Sequence, residues 1–211
     1  MLNFPDTPTS GQNFQNWQWD GVKWVPIALA PPAPASGSKV LINRVDVIAT
    51  VASVDFFSGF DGTYDELELH VFDVQTSADA QPWLRFSADG STFSAGASDY
   101  TYSWAQVNSA ATQSLGGASG AALVMGASWG STATFPNYHI ARIRRGGGVG
   151  NARAAVLHQN AIMNSTSYFS CSGGGQWAMT PLGQLPLGMR FLLSASATIA
   201  RGSFILYGIK K

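Results

Sequence analysis

The stretch Tyr64-Asp65-Glu66-Leu67-Glu68-Leu69-His70-Val71 alternates strictly, with Leu67, Leu69 and Val71 on one side of an extended chain and Glu66, Glu68 and His70 on the other. Successive side chains of a strand point to opposite faces, so the pattern predicts a half-buried β-strand. Similar short runs occupy 45–54, 82–88, 99–104, 121–127, 138–144, 153–158, 166–170, 189–196 and 203–209. Between them stand Asp61-Gly62, Asp89-Gly90, Gly116-Gly117, Gly146-Gly147-Gly148 and Gly173-Gly174-Gly175, which read as turns. Ala121-Ala122-Leu123-Val124-Met125 and Arg153-Ala154-Ala155-Val156-Leu157 have helical propensity, but their flanking glycines favour strands. There is no convincing amphipathic helix and no repeat of fixed period. Many short strands with Gly-rich turns and no β–α alternation predict an all-β fold, and 211 residues favour a jelly-roll-like antiparallel β-sandwich over an immunoglobulin-like unit.

Two breaks in composition divide the chain. Residues 1–27 are dense in aromatics and turn formers, 28–38 read Ala-Leu-Ala-Pro-Pro-Ala-Pro-Ala-Ser-Gly-Ser, and the strand pattern fills 39–211. The middle piece predicts a semi-rigid linker, because Pro31, Pro32 and Pro34 favour an extended conformation. Only 11% of the residues are charged, against about 25% in ordinary globular proteins. A surface built from Gly, Ser, Thr, Ala and Asn points to one that neighbours cover, hence to assembly. Lys plus Arg and Asp plus Glu number 12 each, so no global field draws in nucleic acid or an anionic membrane. Cys171 is alone, which excludes an internal disulfide and a cysteine-rich zinc site and reads as a small packed residue. The opening Met1-Leu2-Asn3-Phe4-Pro5-Asp6 has no basic n-region, and no stretch nears the roughly 20 apolar residues of a membrane span, so neither export nor anchoring is expected.

Phe4-Pro5-Asp6-Thr7-Pro8-Thr9-Ser10-Gly11-Gln12, followed by Trp17-Gln18-Trp19-Asp20-Gly21-Val22-Lys23-Trp24, resembles a small module at the ends of bacteriophage tail and appendage proteins. Asp20-Gly21 is a tight-turn dipeptide across which Trp17 and Trp19 oppose Trp24. So short a segment cannot bury three tryptophans in one another, so Phe4, Pro5, Phe14, Trp17, Trp19 and Trp24 are the candidate particle-attachment residues. The stretches 64–69, 83–93 and 98–102, with the closing Gly202-Ser203-Phe204-Ile205-Leu206-Tyr207-Gly208-Ile209, are similar to the sandwich domain of phage tail-fibre and related virion proteins. The resemblance implies a virion subunit, a homotrimer assembled in the host cytoplasm. It would bind other capsid or tail proteins through residues 1–38 and a host surface glycan or protein through its body. A fibre-like appendage or receptor-binding protein is the first expectation; a capsid decoration, head fibre or other architectural tail or baseplate protein is the second. No membrane or specific nucleic-acid partner is expected.

Gly126-Ala127-Ser128-Trp129-Gly130 matches the Gly-x-Ser-x-Gly pattern of hydrolase nucleophile elbows. That motif must lead into a helix, and Ser131-Thr132-Ala133-Thr134-Phe135-Pro136 is β-branched and ended by proline, so Ser128 reads as a loop serine and no catalytic residue is assigned. Gly146-Gly147-Gly148-Val149-Gly150 lacks the Lys-Ser/Thr and the βαβ setting of a phosphate loop. Asp61, Asp65, Glu66 and Asp73 have no recognised calcium spacing, and His70, His139 and His158 no ligand spacing, so neither metal nor cofactor is expected. Arg142 and Arg144 share one strand face, which suits a subunit contact first and an anionic ligand second. Sugar sites on β-sandwiches use exposed aromatics that stack on pyranose faces; Trp83 and Trp129, both beside turns, are the candidate receptor or glycan contacts.

Overall fold

The computed structural model describes residues 7–14, 17–26, 38–110, 113–131, 137–144, 153–163, 168–178 and 185–210. The chain divides into two compact units, Met1–Pro34 and Ala35–Lys211. Of the linker read at 28–38 only Ser38 lies among the described residues. Among those residues no helix is long and apolar enough to cross a membrane.

The first unit holds a three-stranded antiparallel sheet of β1 (Asn13–Phe14), β2 (Trp17–Trp19) and β3 (Trp24–Pro26), in that order. The Asp20 carboxylate closes the β2–β3 turn by accepting the amides of Val22 and Lys23, each at 2.8 Å, and Gly21 takes a positive φ of 104° that a side chain would oppose.

The second unit is an all-β sandwich. Its strands run β4 (Lys39–Val47), β5 (Ser53–Phe56), β6 (Glu66–Thr76), β7 (Pro82–Ser87), β8 (Tyr100–Asn108) and β9 (Gln113–Gly120). They continue with β10 (Leu123–Val124), β11 (Tyr138–Arg144), β12 (Ala155–Met163), β13 (Tyr168–Trp177), β14 (Gly188–Leu193) and β15 (Ile199–Ile209). One antiparallel sheet has the order β10-β7-β14-β5, the other β4-β15-β6-β11-β12-β13-β8-β9. With the pairs β8/β9 and β12/β13 set aside, the remaining eight strands lie as β4-β15-β6-β11 and β10-β7-β14-β5, the strand order of a jelly roll. Both added pairs lengthen the same edge of the large sheet, beyond β11.

The core forms where the inward rows of the two sheets meet. Leu67, Leu69 and Val71 of β6, Ile143 of β11, Trp177 of β13, and Phe204 and Leu206 of β15 face Phe56, Leu84, Phe86, Leu123, Met189 and Phe191. Rings interlock between the layers, Phe191 with Phe204 at 5.1 Å and Phe86 with Trp177 at 5.8 Å. Each large apolar side chain fully buried contributes about 1.5–3 kcal/mol. The Tyr100 hydroxyl accepts the Phe86 amide at 2.7 Å and donates to the Ser94 carbonyl at 3.2 Å, and burial pushes this phenol well above its usual range. Along β6 the inward parity changes from Leu67, Leu69 and Val71 to Val74 and Thr76, because Asp73 takes a φ of 52° at a bulge. Gly202 of β15 lies against that bulge, where a Cβ would stand 2.7 Å from Val74 Cγ2.

Two glycine runs read as turns are strand interiors instead. Gly116-Gly117 belongs to β9 and Gly173-Gly174-Gly175 to β13. The reason is lateral crowding. The Trp104 indole lies over Gly116, where a Cβ would be 2.3 Å from the ring, and a Cβ on Gly173 would meet the Ser103 carbonyl oxygen at 2.4 Å and His158 Nε2 at 2.7 Å. Gly146–Gly148 lie outside the described residues.

Candidate functional site

The outer face of the large sheet gathers a network of ionisable side chains. The alternation of β6 that sends Leu67 and Leu69 inward sends Glu66, Glu68, His70 and Phe72 outward, and pairing with β11 sets Glu68 opposite Arg142 and His70 opposite Ile140. Although it is on the outer face, the Glu68 side chain is only 1% exposed. Lys39 of β4 and His70 both bond its Oε1, and the Arg142 Nε donates to its Oε2 at 2.9 Å. Burial pushes this carboxyl up, but the hydrogen bonds from Lys39 and His70 and the charge of Lys39 outweigh it and hold the group below the usual carboxylate range. An ionised glutamate thus fixes cations from two strands, β4 and β11, that do not touch each other. Glu66 lies 3.9 Å from the Arg142 Nε, and Arg144 stands opposite Glu66 in register.

Beside this network the sheet is hollowed. A recess of about 610 Å³ is lined by Lys39, Glu68, Arg142, Leu157, Gln159 and Ser172, among others. It adjoins one of about 400 Å³ near Tyr138 and Ser170 and another of about 610 Å³ near Ser103, Gly174 and Gln176. An aromatic border runs along one side: Tyr207 meets His70 edge-on at 5.2 Å, His70 lies 5.7 Å from Phe72, and Phe72 lies 5.1 Å from the exposed Tyr138.

The inward side of the same strands is polar as well. His139 of β11 and His158 of β12 stack at 5.5 Å with 17° between planes, and Trp129 lies 6.1 Å from His139. Asn160 Nδ2 donates to the Met125 carbonyl at 2.7 Å. Burial pushes His158 down to about 4; burial and the neighbouring His158 hold His139 well below its usual value, and burial raises the Cys171 thiol. These groups are neutral at pH 7. Among the described residues no carboxylate bonds either imidazole, and the Asn160 amide nitrogen lies 3.4 Å from His139 Nδ1.

The residues singled out in the sequence fall in separate places. Trp17, Trp19 and Trp24 are half-buried in the first unit, with Trp19 opposite Trp24 at 5.6 Å; the Phe14 backbone lies in β1, and Phe4 and Pro5 lie outside the described residues. Trp83 is half-buried on the outer face of the small sheet, with the Arg85 guanidinium 5.9 Å from its ring. Trp129 corrects the expectation of exposure: it is 0% exposed, packed on Phe191 at 5.6 Å, because its backbone bridges to Ala80 and turns the indole into the core. That bridge also follows Ser128 directly, where a nucleophile elbow needs a helix. Arg142 and Arg144 do share the outer face. Asp61 accepts the Thr63 amide within its own turn, and among the described residues no group of three His, Cys, Asp or Glu could hold a metal ion. Lys39 and Glu68 are what sequence reading missed. The only local signal was three ionisable residues on one strand face in a chain poor in charge.

No family model, curated protein or solved structure matches this chain.

Proposed function

We propose that the chain is a non-enzymatic structural subunit of a tailed-phage particle, a fibre-like appendage or receptor-binding protein that acts in host attachment as a homotrimer. One observation carries the reading: the outer face of the large sheet, in a chain of 11% charge, leaves Val107 of β8 and Leu115 of β9 exposed, Leu115 by 82%. Such a surface is soluble when neighbours cover it. The two sheet edges differ in the same sense. Strand β4 carries Lys39, Arg44 and Asp46, charges that protect an edge, whereas β9 reads Gln-Ser-Leu-Gly-Gly-Ala-Ser-Gly and presents eight residues without charge or proline. Subunit contact through β8 and β9 covers both features. The half-buried tryptophans of the first unit supply an anchor to a capsid or tail protein, and weak sites on a trimer gain strength from multivalent display.

Sedimentation of the purified chain and tracing of an intact particle by electron cryomicroscopy test the reading. A trimer whose sandwich projects while residues 1–38 run along a capsid or tail protein is the expected result. A chain lacking 1–38 that still enters particles refutes the anchor, and a sandwich enclosed by neighbours on all sides makes the protein purely architectural.

A further inference from the structure

We propose that the recess between Lys39, Arg142 and Leu157 binds an acidic sugar, a pyranose bearing a carboxylate. Glu68 anchors the recess. Buried and ionised, it holds the Lys39 ammonium and the Arg142 guanidinium, yet both side chains remain open to solvent, at 44% and 58% exposure. Arg142 is held through Nε, and among the described residues its terminal nitrogens donate no hydrogen bond to the chain. A cation so fixed loses little freedom when it grips an anion in the fork geometry that guanidinium and carboxylate share.

The local charge sets the valence of the ligand. Among the described residues that line the recess, Lys39 and Arg142 stand against Glu68, two cations against one carboxylate, which leaves one positive charge for one ligand carboxylate. A polyanion such as nucleic acid would meet Glu68 and the neighbouring Glu66 as well. The remaining lining fits a ring rather than a bare anion. Gln159 and Ser172, paired in register across β12 and β13, place an amide beside a hydroxyl, groups that donate to and accept from sugar hydroxyls. Leu157, 69% exposed, and Ile140 offer apolar surface to the C–H face of a pyranose. The recess, about 610 Å³, lies within the roughly 300–1,000 Å³ of small-molecule sites. A neutral sugar would leave both cations unused, and acetate would leave the amide, hydroxyl and leucine unused.

Titration of the isotope-labelled full chain by NMR at low salt with sodium glucuronate, glucose and sodium acetate tests the site. Glucuronate is expected to give saturable shifts at Leu157, Gln159 and Ser172 with Kd on the order of 1 mM, and glucose and acetate to bind at least about tenfold more weakly. Arg142→Gln should weaken glucuronate at least about tenfold. Leu157→Asp, at a side chain the fold does not need, places a negative charge in the recess and should abolish binding while the spectrum stays folded. Acetate equal to glucuronate, glucose equal to glucuronate, or undiminished binding by Leu157→Asp would each overturn the proposal. The measurement needs no particle, so its failure leaves the assembly reading untouched, and a monomeric chain leaves this site standing.

Discussion

Acidification from pH 7 to pH 5 should cost the sandwich at least about 2 kcal/mol through His158, with His139 acting in the same direction. In the unfolded chain an imidazole titrates near 6.5. In the folded chain burial moves His158 to about 4, and burial with the neighbouring His158 holds His139 well below its ordinary value. Both folded values are depressed below the unfolded one, so the unfolded state takes up protons first as pH falls, and stability is complete above pH 6.5 and lost toward pH 4. His158 then costs about 1.4 kcal/mol per pH unit in that window, or about 2 kcal/mol by pH 5. With His139 adding in the same direction, the loss is a large part of a total stability of about 5–15 kcal/mol. The lowered carboxyls of Asp20, Asp46, Glu68 and Asp89 act in the same direction but only below their unfolded values near 4, outside the window. Urea unfolding at pH 7.0 and 5.0, at fixed protein concentration and followed by the fluorescence of buried Trp129 and Trp177, reads the difference. His158→Gln should remove about 2 kcal/mol of the loss and His139→Gln with His158→Gln should remove it altogether. A wild-type loss below about 1 kcal/mol, or a double variant that loses as much as wild type, would refute the reasoning.

Gly173→Ala should destabilise by about 1–3 kcal/mol, since its Cβ would stand 2.4 Å from the Ser103 carbonyl oxygen, and a chemical-denaturation midpoint checks it. Leu115→Glu should leave monomer stability within about 0.5 kcal/mol while sedimentation velocity shows the proposed trimer dissociating. Trp129→Ala should cost about 3–5 kcal/mol as a core truncation, whereas Trp83→Ala, on a half-buried outer position, should cost clearly less; equal losses in thermal unfolding would contradict the assigned burial. Glu68→Ala should cost about 1 kcal/mol in urea unfolding, because Lys39 and Arg142 lose their carboxylate but, being open to solvent, keep their hydration.

The strand alternation of Leu67, Leu69 and Val71 was legible because burial of one face imposes period two on the sequence, and Asp20-Gly21 was legible because few dipeptides make so tight a turn. Strand β9 was not. Gln-Ser-Leu-Gly-Gly-Ala-Ser-Gly has little intrinsic strand preference, and its glycines are demanded by the indole of Trp104 lying across them, a cause that sits on another strand. Gly173-Gly174-Gly175 misled for the same reason, as absence of a side chain marks a turn or a close approach equally well. Trp129 was misplaced because a bridge to Ala80 decides which way its indole faces. The site was half visible. Glu66, Glu68 and His70 stood out on one face of β6, but their meeting with Lys39 and Arg142 depends on register across β4, β15, β6 and β11.

The position of the last two strands governs when this fold can form. Strand β14 lies between β7 and β5, and β15 lies between β4 and β6, so residues 188–209 furnish an interior strand to both sheets. On the ribosome, β4 to β7 would emerge long before the strands that join them, and the contacts that complete each layer span most of the unit. Such topology makes for slow folding in the range of milliseconds to seconds, after loop closure has been met without reward. A nascent chain halted before Gly188 has neither sheet whole. The outer faces of the sandwich, and whatever they bind, therefore exist only once residues 188–209 are in place.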